Sequence, residues 1–261
     1  MVAGTLSMPR TIAAETLDGL AADDPKAMRS RRDLRRIHRI MGTRSTLLHA
    51  LRGMTALHHK PEPLRVLELG AGDGSLMLGV ARTLAREWPT VALTLLDAQP
   101  LIHRETIKDY AALGWTAVAE VGDVFDWVAG DTDRMRTGQA SPSWDLIVCN
   151  LFLHHFEGAR LAQLLGAIAH RSELFFACEP RREWVALAGS HLMGAIGANA
   201  VTRKDAVLSV HAGFRSKELS ALWPGSPPLW QVREYSAGLF IHCFRAERVE
   251  ADQESIRANR V

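Results

Sequence analysis

Apolar and polar positions along this chain follow two patterns, and the change between them comes at Pro61 and Pro63. Before it the spacing is helical. Leu34, Ile37 and Met41 recur at helical intervals, which puts them on one helix face. Asp24 supplies an N-cap, Pro25 a first-turn proline and Gly42 a left-handed stop, so a helix is expected over 25–41. A second helical stretch covers 45–58, and together they predict a helical N-terminal cap over 1–60. After Pro63, short apolar runs alternate with helical text. Strands are expected at 64–69, 91–96, 116–121, 145–150 and 174–179. Helices are expected up to about 88 and at 102–113, 158–170 and 182–196, with a polar loop at 130–143. This alternation marks a parallel sheet covered by helices. A segment at 197–214, a helix at 216–222 and a Pro-rich loop at 224–228 follow. Two closing strands, 231–236 and 239–246, turn at Gly238 as an antiparallel hairpin. The main domain therefore spans 61–249, and the first ten residues and the polar tail 250–261 read as mobile.

The first strand runs into a glycine-rich turn, Val66-Leu67-Glu68-Leu69-Gly70-Ala71-Gly72-Asp73-Gly74. Glycines let a backbone turn sharply and approach a ligand closely. In open α/β sheets the ligand sits beyond the carboxyl ends of the strands, where the strand order reverses. The stretch resembles the first motif of class I S-adenosylmethionine (SAM) dependent methyltransferases, an acid followed by Gly-x-Gly-x-Gly after a buried strand. SAM carries a sulfonium and an ammonium but no phosphate, so a carboxylate at Glu68 suits it and would oppose a pyrophosphate. A dinucleotide-dependent oxidoreductase would want Gly-x-Gly-x-x-Gly, and Gly74 comes one residue early for that. The resemblance covers roughly 64–246. It implies a Rossmann-like α/β fold with a seven-strand sheet of order 3-2-1-4-5-7-6, strand 7 antiparallel.

Asp97 ends the second strand, where an acid can accept hydrogen bonds from both ribose hydroxyls; the resemblance implies that use. Ala98 and Gln99 would then line the adenine pocket. Asp123 ends the third strand in Gly122-Asp123-Val124. The resemblance gives it the adenine amino group, and an ordinary helix N-cap is the equal alternative. Gly70, Ala71, Gly72, Gly74, Gly122, Val124, Asn150 and Leu151 complete the expected cofactor contacts. The SAM carboxylate needs a cation that the glycine turn lacks; Arg35, Arg39 or Arg44 of the cap is placed to supply it, and Arg44 joins the expected set.

The second informative block is Trp144-Asp145-Leu146-Ile147-Val148-Cys149-Asn150-Leu151-Phe152-Leu153-His154-His155-Phe156. It resembles the fourth motif of small-molecule members of the ubiquinone-methylase-like group. The Pro-Pro-aromatic text of amino methyltransferases for DNA bases and protein amides is missing after Asn150. So is the acidic ligand cluster of magnesium-dependent catechol-type enzymes, which argues for a metal-independent site. Histidine titrates near neutrality, so His154 and His155 are the candidate bases for deprotonating a phenolic or enolic hydroxyl. Two neighbours seldom face one pocket. His155 is favoured, since it stands nearer the helix start at Gly158, whose dipole keeps an imidazole neutral. Each histidine also has a plainer reading as a packing residue. Glu179-Pro180-Arg181-Arg182 faces either the acceptor pocket or solvent, and the insert near 197–228 is where such enzymes place an acceptor lid.

The bulk numbers narrow the field less. A length of 261 residues suits one large α/β domain. A formal charge of +2 directs the chain to neither nucleic acid nor membrane, and the Arg-rich stretch 29–39 reads first as a solvated face. No apolar run reaches membrane-spanning length and no signal-peptide core is present. Cys149, Cys178 and Cys243 lie in separate strand-like runs, as reduced thiols of a cytoplasmic protein do. The expectation is a SAM-dependent O-methyltransferase with a small-molecule acceptor, releasing S-adenosylhomocysteine (SAH), with a homodimer compatible. C-methylation, a non-catalytic SAM-binding protein and an RNA-associated one stay open as alternatives.

Overall fold

The computed structural model describes residues 8–54, 62–136, 143–225 and 229–249. The expected tail at 250–261, the end of the second cap helix, Pro61 and the middle of the Pro-rich loop lie outside these residues.

Strands β1 (Leu64–Leu69), β2 (Val91–Asp97), β3 (Trp115–Val121), β4 (Trp144–Asn150) and β5 (Ser172–Pro180) form the parallel part of one sheet. β6 (Trp230–Ala237) and β7 (Ile241–Arg248) close it, β7 running antiparallel to both β5 and β6. The order is β3-β2-β1-β4-β5-β7-β6, as expected. Successive strand residues point to opposite faces, so each buried run feeds two cores. Val66, Leu146, Val148 and Phe176 enter one core, with Leu47 and Leu51 of α2 (Thr43–Arg52) and Met77, Ala81 and Leu84 of α3 (Ser75–Leu84). Leu67, Ile147, Cys149 and Phe175 enter the other, with Leu161, Leu164 and Ile168 of α6 (Gly158–Arg171). α2 shares a core with the sheet. The border drawn at Pro61 divides elements that bury one another.

α1 (Pro25–Met41) starts and stops where its caps dictate. Asp24 accepts from the amides of Lys26 and Ala27, and Gly42 has φ 71°. Its buried face is not the apolar one, however. Ser30 and Asp33 are buried with Ala27 and Ile37, because this face meets α8 (Ala200–Ala212). Asp33 accepts from the Asn199 amide at 2.9 Å and the Thr202 hydroxyl at 3.3 Å.

Three expectations fail. The polar loop begins later than 130, since α5 (Val124–Arg136) continues through it. The segment 197–214 holds the helix α8, and 216–222 forms turns. There Ser216 has φ 54°, and Glu234 accepts from the Leu219 and Ser220 amides in place of a helical ladder. The long helix at 182–196 is α7 (Trp184–His191) followed by a 3-10 turn. α4 (Arg104–Ala112) matches its expected place. Ahead of α1, residues 8–24 run as a strap across the carboxyl edge of the sheet. The strap is tied to α8 where Asp205 accepts from the Thr16 and Leu17 amides, both at 2.9 Å.

Candidate functional site

The strand order reverses between β1 and β4, and a cavity of about 460 Å3 opens above that point. Glu68, Gly70, Ala71 and Gly72 form its floor, with Asp97, Ala98 and Gln99 beside them. A smaller cavity of about 110 Å3 adjoins it through the shared walls of Gly70, Asp97, Ala98, Phe152 and Phe156. That second space is lined by Gly122, Asp123, Val124 and Phe125 as well.

The glycine turn is held by chemistry and by shape. Gly70 has φ 69°, and a Cβ there would overlap the Phe152 ring, so only glycine fits. Gly72, φ 58°, opens onto free space, and its amide donates to Asp97 Oδ2 at 2.8 Å. The other Asp97 oxygen accepts from the Gln99 amide at 2.9 Å. Burial raises the pKa of this carboxyl against those two donors. Asp97 thus fastens the turn while still facing the cavity.

Glu68 is buried, and its Oε1 accepts from Asn150 Nδ2 at 3.0 Å. Its Oε2 and Asn150 Oδ1 have no hydrogen-bond partner among the described residues. Burial pushes the carboxyl up to about 8, against the Asn150 hydrogen bond. Both residues line the cavity, and each keeps one buried oxygen without a partner, which a donor-rich group would satisfy. Asp123 caps α5 by accepting from the Phe125 amide at 2.6 Å and also lines the smaller cavity.

The loop after β4 is pinned from β5. Glu179, wholly buried, accepts from the amides of Phe152 (3.0 Å), Leu153 (2.9 Å) and His154 (3.3 Å), and from His154 Nδ1 at 2.8 Å. It supports this loop and does not line the cavity. Arg182 likewise turns away, to Glu218 and the carbonyls of Met8 and Gly213. His154 Nε2 reaches Glu15 Oε1 at 3.4 Å. Burial disfavours its charge, yet the hydrogen bonds to Glu15 and Glu179 win and hold its pKa at about 9. Burial, and then the charge on His154, lower His155 to about 4. Both imidazoles line the same cavity, contrary to the expectation that only one would, because a 3-10 turn brings the rings to 4.2 Å.

Arg44 is misplaced in the expected set. Its guanidinium packs along Gly79 and donates to Thr83 on α3, and it does not line the cavity. Arg39 also stays outside the lining, whereas Arg35 and Arg31 face in. Arg35 pairs with Asp73 at 2.6 Å; Arg31 donates to Gln99 Oε1 at 3.0 Å and the Ala22 carbonyl at 2.7 Å. Several other walls had no role assigned from the sequence: Glu15, Leu17 and Asp18 from the strap and Leu34 and His38 from α1, while Ser209 of α8 lies in the insert expected to form an acceptor lid. The strap that carries the first three is tied down at several points: Asp205 of α8 accepts from it, Arg10 donates to the Ala212 and Phe156 carbonyls, and Gln99 donates to the Asp18 carbonyl.

No protein-family model matches the sequence, and no curated protein sequence does. Solved structures are similar in fold. The plantazolicin methyltransferase BpumL in complex with SAH aligns at TM-score 0.59 and 14% identity, over 87% of this chain and 92% of that one. The same enzyme with a monoazolic desmethylPZN analog and SAH gives 0.58 at 15% identity, over 87% and 91%. The methyltransferase domain of bacterial CtHen1-C gives 0.53 at 12% identity, over 80% and 98%. This chain therefore has the seven-stranded methyltransferase fold.

Proposed function

We propose that this chain, built on the methyltransferase fold, is a SAM-dependent methyltransferase acting on a small-molecule hydroxyl. The observation that carries the reading is the pair of unpartnered oxygens, Glu68 Oε2 and Asn150 Oδ1, on two residues that line the same cavity as Gly72. An α-ammonium supplies the donors this floor lacks and, on pairing, holds Glu68 as its carboxylate. SAM, when bound, supplies an electrophilic methyl on a sulfonium.

The chain's residues divide the remaining work. Asp97 takes ribose hydroxyls on the lone pairs not used by Gly72 and Gln99. Ala98, Gly122, Asp123 and Val124 wall the smaller cavity, which suits a flat base beside Phe125. Arg35 and Arg31 are the cations near enough to receive a carboxylate, the part first given to Arg44. This use of α1 supports a small-molecule reading over a nucleic-acid one, since these two arginines turn inward.

At the other end of the cavity Phe152, Glu15, Asp18, Ser209 and the two histidines surround the space left for the acceptor. His154, charged and held between two carboxylates, orders this end and cannot accept a proton. His155 is neutral, with Asp18 Oδ2 3.4 Å from Nδ1. With Nδ1–H turned to Asp18, Nε2 is the proton acceptor for the hydroxyl, and Asp18 stabilises the imidazolium that forms. Positioning supplies most of the acceleration in such an in-line displacement. The test is calorimetry with SAM, SAH and NADH. Micromolar or tighter binding of SAM and SAH, with none of NADH, is expected. NADH binding without SAH binding overturns the proposal.

A further inference from the structure

We infer that Glu15, His154 and His155 form a binding site for one divalent transition-metal ion of the zinc type at the acceptor end of the cavity. Each contributes a ligand atom, and the three atoms lie within 4.8 Å of one another. His154 Nε2 and Glu15 Oε1 are 3.4 Å apart. That matches the edge of a tetrahedron with metal–ligand bonds of about 2.0–2.1 Å, roughly 3.3 Å.

The surroundings are those of a ligand set. His154 gives its other nitrogen to Glu179 at 2.8 Å, the carboxylate–histidine arrangement that fixes tautomer and ring orientation in metal sites. Glu15 is held by the Ser209 hydroxyl, whose own oxygen is 2.9 Å from the Asp205 carbonyl. His154 and Glu179 are buried and fixed by the β4–α6 loop and β5, while Glu15 arrives from the strap. Two of the three ligands thus stand on the β4–α6 loop, and Glu15 of the strap, held by Ser209, completes the set. Two imidazoles and one carboxylate suit zinc and its neighbours in the first transition row, not magnesium or calcium. Three protein ligands leave positions open, and the cavity lies on that side. This departs from the metal-independent site expected from the sequence, where the absence of an acidic cluster after Asn150 was the ground.

The binding itself is independent of the methyltransferase reading. Its consequence rests on that reading: a hydroxyl acceptor held at an open position would be acidified by the ion and would lose its proton to solvent, in place of proton transfer to His155.

The test uses untagged, chelator-stripped full-length protein titrated with Zn2+ by calorimetry in a non-coordinating buffer, with metal counted after gel filtration. One Zn2+ per chain is expected. Glu15→Gln and His155→Ala, neither in the hydrophobic core, should each weaken it by about tenfold or more. SAH binding on the same samples separates failure of this site from failure of the proposed function, and circular dichroism confirms that the variants are folded. Absence of stoichiometric Zn2+, or binding that both folded variants retain at wild-type strength, overturns the inference.

Discussion

Glu68 provides a proton count that reports directly on whether an ammonium docks against it. With its carboxyl near 8, it is about 0.9 protonated at pH 7 before ligand arrives. The α-ammonium of free SAH sits beside an ionised carboxylate, titrates above the peptide range of about 7.7–8.0, and is essentially fully protonated at the same pH. Once paired, ammonium and carboxylate hold one proton between them, so binding should release about 0.9 proton at pH 7. The release must change with pH. It shrinks as pH rises past about 8, where Glu68 starts deprotonated, and turns to uptake once free Glu68 and free ammonium together hold less than one proton. The assay is calorimetry in buffers of different ionisation enthalpy, whose slope gives the protons exchanged. Glu68→Gln removes the titrating partner and should leave almost no proton exchange at pH 7, a difference of about 0.9 assignable to Glu68. Comparing the two proteins cancels contributions from Asp97 and Asp18. Equal proton counts in wild type and Glu68→Gln would refute the reasoning, and with it the fit of the cavity floor to SAM.

Asp97→Ala removes the acceptor for ribose and also the anchor of the Gly72 amide. At about 1.5–3 kcal/mol per hydrogen bond to a charged acceptor, SAH affinity should drop at least about tenfold by calorimetry; an unchanged Kd would take Asp97 out of the site. For His155→Ala, assayed without added metal, kcat should fall by about 100-fold while SAH affinity holds. That rate should partly recover at high pH, where the acceptor ionises unaided, and a near-normal rate at neutral pH would limit His155 to packing.

The sheet was legible because its strands are doubly buried. Runs such as Val66-Leu67 and Leu146-Ile147-Val148-Cys149 feed cores on both faces, so they stand out as unbroken apolar text with edges good to a residue or two. α8 was not legible for the opposite reason. Its buried side includes Thr202 and Asp205, whose task is to hydrogen-bond α1 and the strap, so no apolar period marks it. The turns at 216–222 carry helix-compatible residues, and the reason they do not form a helix, Glu234, lies on β6. In both places a contact distant in sequence overrides the local pattern.

The same division runs through the site. The half facing the proposed cofactor is written locally: a left-handed turn demands glycine at Gly70 and Gly72, and a strand end delivers Glu68, Asp97 and Asn150 to one edge. Such residues are forced by backbone geometry wherever the fold occurs, so a motif can carry them. The acceptor half is assembled across the chain. Glu15 enters the cavity because the neighbouring Thr16 amide is held by Asp205, 189 residues away, and because Ser209 and His154 meet its carboxylate. Nothing in the text around Glu15 distinguishes it from a solvated acid. On the proposed reading, selectivity among acceptors resides in the strap and α8, whose ties, the Asp205 hydrogen bonds and a small cluster of Met8, Ala186 and Val210, stand apart from the two cores that hold the sheet. A shared methyltransferase fold at 12–15% identity is therefore compatible with unrelated acceptors. The acceptor of this chain has to be sought through Glu15, Asp18 and Ser209, not through the glycine turn.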